Sequence, residues 1–369
     1  MPSRKGQQMR ELRVVRLAGT PSEMGKQHGE KFADDIKAFA QDRLELAMEN
    51  AWTGSKLSES EVLNLAEACL EEHHYYSPEL TEELVGIANA AGVRPAEVVI
   101  ASGFTDFIDL VYNHANSLQT TQAADDCTAF LIPASRTANQ QAMFGQTWDM
   151  HDKAEEHVIL MDGQPADVPS FLAFSTAGCL GMIGMNSEGI AVGINNLMAA
   201  DGQVGVSWTH VVRKVLMQED IEVALACITD AKLMGAHNYL LMDKHGQGYN
   251  IEATSTAKDV TPLAEMPIVH TNHCLVENTV AQQRSRPEAS QKSSEARLGR
   301  AQQLLTDDGI SPEDLMDVTR DKEAICVSSK LPMHVATCGA AIMRPATGDF
   351  WAVWGKPTEN EYQRFSVRA

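Results

Sequence analysis

Two residues of types that can do chemistry, Cys127 and Asp149, stand at matching ends of two apolar runs. Cys127 opens a run of β type that ends at Ile132, and the second run leads into Asp149 after the turn-rich residues 133–141. Two such runs joined by a turn predict a β-hairpin, which would bring the carboxylate back beside the thiol. A thiolate is a nucleophile, and a carboxylate can hold the base that generates it. The alternative is a buried, inert cysteine near a surface aspartate.

The position of Cys127 also suits chemistry in which the chain cuts itself. Cleavage between Asp126 and Cys127 would free an α-amino group with an unperturbed pKa of about 8, which could take the thiol proton and return it to a leaving amine. This is the chemistry of N-terminal nucleophile hydrolases. Because the same point separates a mostly helical stretch from a strand-rich one, we predict two chains, residues 1–126 and 127–369, that stay associated.

The composition of the 369-residue chain argues against two classes of partner. Its net charge of −20 disfavours nucleic acid and anionic membranes, which attract basic surfaces. The N-terminus lacks the apolar stretch of a signal peptide, and no run of apolar residues is long enough to span a membrane, so a cytoplasmic location is predicted. The 7 cysteines are odd in number and scattered, which favours reduced thiols.

The N-terminal part is predicted to be mostly helical after a short strand over residues 12–17. Thr20 and Glu23 can form a capping box, and the apolar residues that recur behind them predict one long helix that ends near Asn50. Gly25 and Gly29 lie on one side of this helix and indicate close packing there. Further helices are predicted at residues 58–75, 78–91 and 94–112. Residues 113–126 are predicted to form an exposed connector.

The rest of the chain alternates between runs of strands and runs of helices. Such runs, rather than strict alternation of single elements, predict an α+β protein with antiparallel sheets in layers. The predicted strands are residues 127–132, 142–148, 170–175, 182–185, 190–194, 238–242, 249–253, 268–271, 335–343 and 350–354. The predicted helices are residues 207–218, 221–231 and 294–305, with another beginning after Ser311.

Several short motifs, weak individually but specific in their order and spacing, resemble one known family. They lie at residues 19–25, 27–29, 83–88, 126–128, 145–149, 184–189, 271–273 and 351–357. The chain resembles the family of acyl-coenzyme A:6-aminopenicillanic acid acyltransferase, within a wider group that includes penicillin V acylases and bile salt hydrolases. The resemblance implies a four-layer αββα N-terminal nucleophile fold and a precursor that cleaves itself before the cysteine.

The resemblance also implies roles for individual residues. Cys127 matches the nucleophile, Asp149 the carboxylate that holds the freed amine, and Arg297 the active-site arginine. Asn195, with Asn196 as the alternative counterpart, and Asn272 match the two neutral amide donors that face the developing oxyanion. For Arg297, a solvent-exposed salt bridge beside Arg300 on an amphipathic helix is the alternative.

Two positions depart from the pattern of the family. Asp126 stands where the family usually has a flexible glycine before the nucleophile, which predicts less efficient self-cleavage. Gln146 stands where bile salt hydrolases and penicillin V acylases have an arginine, which argues against bile acids or penicillin V as substrates.

We therefore predict that the protein hydrolyses a small linear amide, such as an N-acyl or β-alanyl amine, without a cofactor. The active unit would consist of the two associated fragments, and assembly into a higher oligomer is left open. One alternative is a coenzyme A-dependent N-acyltransferase, and another is an uncleaved, non-catalytic binding protein of the same fold. A metal hydrolase with ligands His270, His273 and Cys274 is disfavoured, because His-x-x-His on a strand points its side chains to opposite faces. No glycine-rich phosphate loop indicates a nucleotide.

Overall fold

The strands form two β-sheets in the computed structural model, which describes residues 10–122, 126–329 and 334–367. Strands are numbered in chain order. One sheet has the order β1 (Val14–Gly19), β4 (Val158–Pro165), β5 (Phe171–Thr176), β6 (Ile183–Asn186), β7 (Ala191–Leu197), β8 (Ala236–Met242), β9 (Gly248–Ala253), β10 (Lys258–Pro262). The other has the order β11 (Ile268–His270), β2 (Thr128–Ile132), β3 (Met143–His151), β12 (Val335–Arg344), β13 (Asp349–Trp354), β14 (Gln363–Ser366).

Helices cover the outer faces of both sheets. Before Cys127 they are α1 (Pro21–Lys31), α2 (Ala33–Ala47), α3 (Asn50–Thr53), α4 (Glu59–Tyr76), α5 (Pro78–Ala91), α6 (Pro95–Ser102) and α7 (Phe104–His114). After it come α8 (Trp208–Val215), α9 (Ile221–Thr229), α10 (Glu277–Val280), α11 (Glu288–Leu304) and α12 (Pro312–Thr319). Helices α1, α8 and α9 pack on the larger sheet, α11 and α12 pack on the smaller one, and β2 contacts β7 and β8 between them. The predicted αββα layering is therefore confirmed.

The predicted antiparallel pairing holds for every pair of neighbouring strands but one. Strand β1 runs parallel to β4, with Val14 opposite Leu160. The N-terminal part thus contributes an edge strand to the larger sheet as well as helices. Strands β4, β10 and β14 were not among the predicted strands, because their runs are short or mixed with polar residues.

The prediction of one long helix up to Asn50 is wrong. The capping box of Thr20 and Glu23 forms as expected, but the helix breaks at Phe32, whose φ of −126° and ψ of 31° lie outside the helical range. The break lets the two segments pack against different partners, α1 against α5 and α2 against α6. The helix predicted over residues 94–112 is likewise divided at Gly103, between α6 and α7.

The close packing predicted for Gly25 and Gly29 is confirmed at the contact between α1 and α5. A Cβ atom at Gly25 would overlap the carbonyl oxygen of Glu83, and one at Gly86 would lie 3.2 Å from the Cα atom of Gly25. Glycines on both helices thus bring the two backbones together. In the described residues no single helix is long and apolar enough to cross a membrane, although the bent pair α5 and α6, at 109°, passes the same test by length and composition.

Candidate active site

The β2–β3 hairpin places Cys127 beside Asp149, as predicted. Thr128 lies opposite Thr147 in this antiparallel ladder. Two positions outward, the carbonyl oxygen of Asp149 accepts a hydrogen bond from the backbone N–H of Asp126 at 3.4 Å. The same oxygen lies 3.8 Å from the Sγ atom of Cys127. Cys127 and Asp149 are fully buried. Because facing residues in an antiparallel ladder project to the same side of the sheet, the Cys127 side chain shares its side with Trp148.

Two donors converge on the backbone carbonyl of Cys127. The Nη1 atom of Arg297 donates to it at 2.6 Å, and the Nδ2 atom of Asn195 donates at 3.3 Å. Asn195 lies on β7 in the facing sheet, so this hydrogen bond crosses the space between the two sheets. On neighbouring β8, the Nδ2 atom of Asn238 donates to the Oδ1 atom of Asn195 at 3.3 Å, which turns the N–H end of Asn195 toward Cys127.

Asn272 reaches the same site from the turn that follows β11. Its Oδ1 atom accepts from the Nη2 atom of Arg297 at 3.0 Å, and its Nδ2 atom donates to the carbonyl of Asn196 at 3.2 Å. Its own backbone N–H donates to the Oγ atom of Ser294 at 2.9 Å. The structure thus brings both predicted amide donors to one place, and Asn195 donates a side-chain hydrogen bond to the carbonyl of Cys127.

Arg297 is the centre of the site and is only 1% exposed. The solvent-exposed alternative for this residue is therefore wrong. Its Nη2 atom contacts the Asp126 carboxylate at 3.0 Å, and its Nη1 atom also reaches the hydroxyl of Thr128 at 3.2 Å. The Oγ atom of Ser293 donates to the second carboxylate oxygen of Asp126 at 3.2 Å. The residue that replaces the usual glycine is thus held by an ion pair and a hydrogen bond at the predicted cleavage point.

Sequence reasoning missed Ser293 because the helix was predicted to begin at Ser294. Helix α11 begins at Glu288, so Ser293 and Arg297 are four residues apart on one helical face, and the Oγ atom accepts from the Nε atom at 3.3 Å. The spacing was visible in the sequence. The missing signal was the start of the helix, since no side chain caps it.

Gln146 joins the two sheets close to the site. Its Oε1 atom accepts from the backbone N–H of Ile194 at 2.9 Å, and its Nε2 atom donates to the carbonyl of the same residue. Gln146 is fully buried on β3, and Ile194 precedes Asn195 on β7. The residue that stands in place of the arginine of related enzymes therefore fixes the strand that carries an amide donor.

The cysteines outside the site are poor nucleophiles, because burial keeps their thiols protonated. It raises the pKa of Cys69, Cys179 and Cys227 to about 11 and that of Cys274 to about 12. Burial also raises the pKa of Cys326 and Cys338. At neutral pH these thiols are protonated, which agrees with the expectation that they serve as apolar filler.

The residues of the metal alternative bind different partners. The Nε2 atom of His270 contacts Glu252 at 2.9 Å, whereas the Nδ1 atom of His273 contacts Ser294 at 2.7 Å. Burial lowers the pKa of His273 to about 4. Within the described part of the chain, no group of three or more His, Cys, Asp or Glu side chains is placed to hold a metal ion.

An αββα sandwich with a cysteine at the start of an inner strand, whose backbone carbonyl accepts from Arg297 and Asn195 on two other elements, is the arrangement of the N-terminal nucleophile fold. The comparison with protein families identifies the family within this class. The chain belongs to the family described as acyl-coenzyme A:6-aminopenicillanic acid acyl-transferase, whose model matches residues 135–359. The matched range contains Asp149, Asn195, Asn272 and Arg297 and begins after Cys127.

Individual known proteins show more distant similarity. The 40 kDa form of acyl-coenzyme A:6-aminopenicillanic-acid-acyltransferase from Emericella nidulans is 26% identical over 295 residues, which cover 79% of this chain and 77% of the relative. A conjugated bile acid hydrolase from Clostridium perfringens is similar in structure with a TM-score of 0.41 at 12% identity, over 66% of this chain and 97% of the other. A penicillin V acylase from Agrobacterium tumefaciens has a TM-score of 0.33 at 11% identity, over 63% and 77%.

Proposed function

We propose that the protein is an autoproteolytic cysteine amidohydrolase that cleaves a small linear amide through a thioester on Cys127. The observation that carries this proposal is the convergence of Asn195 and Arg297 on the carbonyl of Cys127, whose Sγ atom lies 3.8 Å from the backbone carbonyl oxygen of Asp149. Membership of an acyl-transferring family supports the same chemistry.

In the proposed reaction, the freed α-amino group of Cys127 takes the proton from Sγ, and Sγ attacks the amide carbonyl. The amide N–H groups of Asn195 and Asn272 stabilise the oxyanion, since neutral, preorganised donors are each worth about 100-fold or more in rate. The amine then gives its proton to the leaving nitrogen as the C–N bond breaks, which leaves an acyl thioester. Water attacks the thioester and releases the free acid and the thiol. Asp149 holds the ammonium form of the amine.

The same thiol would cut the precursor. Sγ of Cys127 attacks the carbonyl carbon of Asp126, the peptide nitrogen leaves as the new amine, and water hydrolyses the resulting thioester. Arg297 contacts both sides of the scissile bond, because it binds the carbonyl of Cys127 and the side chain of Asp126. In the described part of the predicted connector, Leu118 is 96% exposed, which supports an accessible loop. Residues 123–125 of the connector lie outside the described residues.

The two fragments would remain together after the cut. Strand β1 belongs to residues 1–126 and pairs with β4 of residues 127–369. In the first fragment, Met24 and Ile36 are buried, and separation would expose such side chains at about 25 cal/mol per Å². We propose a heterodimer of the fragments as the active unit. The cytoplasmic location stays a prediction.

Coenzyme A-dependent acyl transfer is the second candidate, favoured by the description of the matching family. The two candidates differ in what intercepts the thioester. Water is present at about 55 M, so a transferase must exclude it and hold an acceptor amine in near-attack geometry. Product partitioning decides: with an amide or thioester donor and millimolar acceptor amine, free acid should dominate. More amide than free acid at low acceptor concentration would establish the transferase.

The Cys127→Ala variant tests whether the protein is an enzyme at all. It should remain a single chain and release no acid, because it lacks the nucleophile for both reactions. A denaturing gel of the unaltered protein should show two bands. One full-length, inactive band would favour the non-catalytic binding protein, and full activity of Cys127→Ala would disprove the proposed mechanism.

A further inference from the structure

Glu252 is a buried carboxylate that binds the turn carrying Asn272. It lies on β9 of the larger sheet. Its Oε1 atom accepts from the backbone N–H of Leu275 at 2.8 Å, and its Oε2 atom accepts from that of Val276 at 3.3 Å and from the hydroxyl of Thr279. One side chain of the larger sheet thus holds three residues that follow Asn272.

The same carboxylate binds His270, two residues before Asn272. The Nε2 atom of His270 lies 2.9 Å from the Oε1 atom of Glu252, and its Nδ1 atom lies 2.8 Å from the carbonyl oxygen of Thr271. Although burial favours the neutral acid, hydrogen bonds from His270 and Thr279 lower the pKa of Glu252, which is therefore ionised near neutrality. Because a carboxylate and a carbonyl only accept, both ring nitrogens of His270 must donate, and the ring is an imidazolium.

This buried ion pair joins the two sheets. His270 lies on β11 of the smaller sheet, opposite Ala129 on β2, two residues after Cys127. The side chains of His270 and Glu252 are 1% and 0% exposed. Such a pair adds little net stability compared with apolar residues, because the desolvation of both charges offsets their attraction, but it can fix the geometry of the groups it joins.

Glu252 shares its row of the larger sheet with the residues that supply and orient the other amide donor. Asn195, Asn238 and Glu252 face one another in turn on β7, β8 and β9, so their side chains project from the same face of the sheet. From this face Asn195 donates to the carbonyl of Cys127. One row across three strands thus supports both predicted oxyanion donors, Asn195 directly and Asn272 through its turn.

We infer that Glu252 is a positioning residue, which holds the turn of Asn272 through His270 on one side and through backbone N–H groups on the other. The inference rests on the proposed function for the role of Asn272 in catalysis. Hydrogen bonds with Arg297 and Ser294 fix Asn272 itself, whereas Glu252 fixes the chain before and after it. Displacement of a preorganised donor weakens its contact with the transition state, so the loss should appear in kcat rather than in KM.

Glu252→Gln is the main test. The carboxylate accepts from one backbone N–H on each of its oxygens, whereas an amide can accept on one side only. At least one N–H group of the turn therefore loses its acceptor, whichever way the amide points. In the processed protein kcat should fall by on the order of tenfold, with KM changed by less than about twofold. An unchanged kcat, or a loss confined to KM, would overturn the inference.

A double-mutant cycle separates positioning from a general effect on the fold. Once Asn272→Ala has removed the donor, Glu252→Gln should lower kcat no further, whereas independent effects would multiply. Thr279→Val, which removes one hydrogen bond to the carboxylate, should show a smaller loss with the same lack of additivity, and it serves if Glu252→Gln does not fold. Glu83 is the control, because it forms a buried ion pair with Arg213 at 3.3 Å between α5 and α8. Glu83→Gln should lower Tm and leave kcat unchanged.

Nuclear magnetic resonance tests the inference without any activity. In the Cys127→Ala protein at neutral pH, both ring nitrogens of His270 should carry protons. Glu252→Gln, but not Glu83→Gln, should shift the side-chain amide signal of Asn272. These results in a protein that hydrolyses no amide would disprove the proposed function and keep the positioning of Asn272. Hydrolysis with additive losses of kcat would overturn the inference and keep the proposed function. A neutral His270 ring or an unmoved Asn272 signal would also overturn the inference.

Discussion

Asn195 depends on a neighbouring side chain for its direction. The N–H of Asn238 donates to its Oδ1 atom, so its own N–H points to Cys127. Asn195→Ala should lower kcat by about 100-fold to 1000-fold with little change in KM, because the lost donor acts on the oxyanion. Steady-state kinetics on the processed enzyme measure this effect, and a change confined to KM would contradict the assigned role.

Asn238→Asp tests the orientation itself. A carboxylate cannot donate to the Oδ1 atom of Asn195, so the amide should lose its fixed direction and kcat should fall by on the order of tenfold. Asn238→Asp with an unchanged kcat would show that Asn195 needs no such support. Melting temperatures of both variants separate an effect on folding from an effect on the site.

Asp126 should slow processing, because an ion pair with Arg297 and a Cβ atom restrain the scissile peptide. Asp126→Gly should therefore cleave severalfold faster than the unaltered chain, with Asp126→Asn between them, since it loses only the charge. The fraction of cut chain at fixed times after cell-free synthesis measures the rate. Slower cleavage of Asp126→Gly would mean that the clamp promotes the reaction.

The positions of residues could be predicted where a motif or a short hairpin determined them. The hairpin pattern placed Cys127 beside Asp149, because the two residues are close along the chain. The contacts of Asn238 and Gln146 could not be found in this way, because their partners belong to a neighbouring strand and to the other sheet. Their importance depends on a register between elements that no local pattern contains.

At the scale of elements, the contact between α1 and α5 depends on glycine. Gly25→Ala should destabilise the protein by roughly 1–3 kcal/mol or more, since its Cβ would overlap the backbone of Glu83. Gly299 on α11 is the control: a Cβ there meets nothing within 4 Å, so Gly299→Ala should be neutral or stabilising by up to about 1 kcal/mol. Urea unfolding measures both changes, and equal effects would contradict the packing argument.

The types of most elements could be predicted, whereas their breaks could not. The apolar periodicity of the sequence continues across Phe32 and across Gly103, because the helices on both sides of each break have a buried face. The change of direction is set by the partner helices, not by a proline or a strong stop signal. The pairing of β1 with β4 was also invisible, since the partners are separated by most of the helical part.

At the scale of the whole molecule, buried histidines should make stability sensitive to acid. Burial lowers the pKa of His28 from 6.5 to about 4, and its Nε2 atom accepts from the N–H of Gly178 at 3.0 Å. The unfolded chain therefore binds a proton at a higher pH than the folded chain, so stability is present above about pH 6.5 and falls as the pH approaches about 4.

For His28 alone this loss is at most about 3 kcal/mol. His28→Gln should flatten the fall of the unfolding free energy between pH 6.5 and 4, because glutamine keeps an acceptor but does not titrate. The exposed His245 is the control, and His245→Gln should leave the pH profile unchanged. Urea titrations across this range measure the slope. An unchanged slope in His28→Gln would show that other groups govern acid unfolding.

The central claim is that Cys127 becomes an N-terminal nucleophile. The most direct test is the denatured mass of the protein, quenched with acid during turnover of an amide substrate, followed by N-terminal sequencing of the larger fragment. We expect the fragment of residues 127–369 to begin at Cys127 and to carry the mass of the acyl group on that residue. An uncut chain that still turns over substrate, a different first residue, or an acyl group on another side chain would contradict the claim.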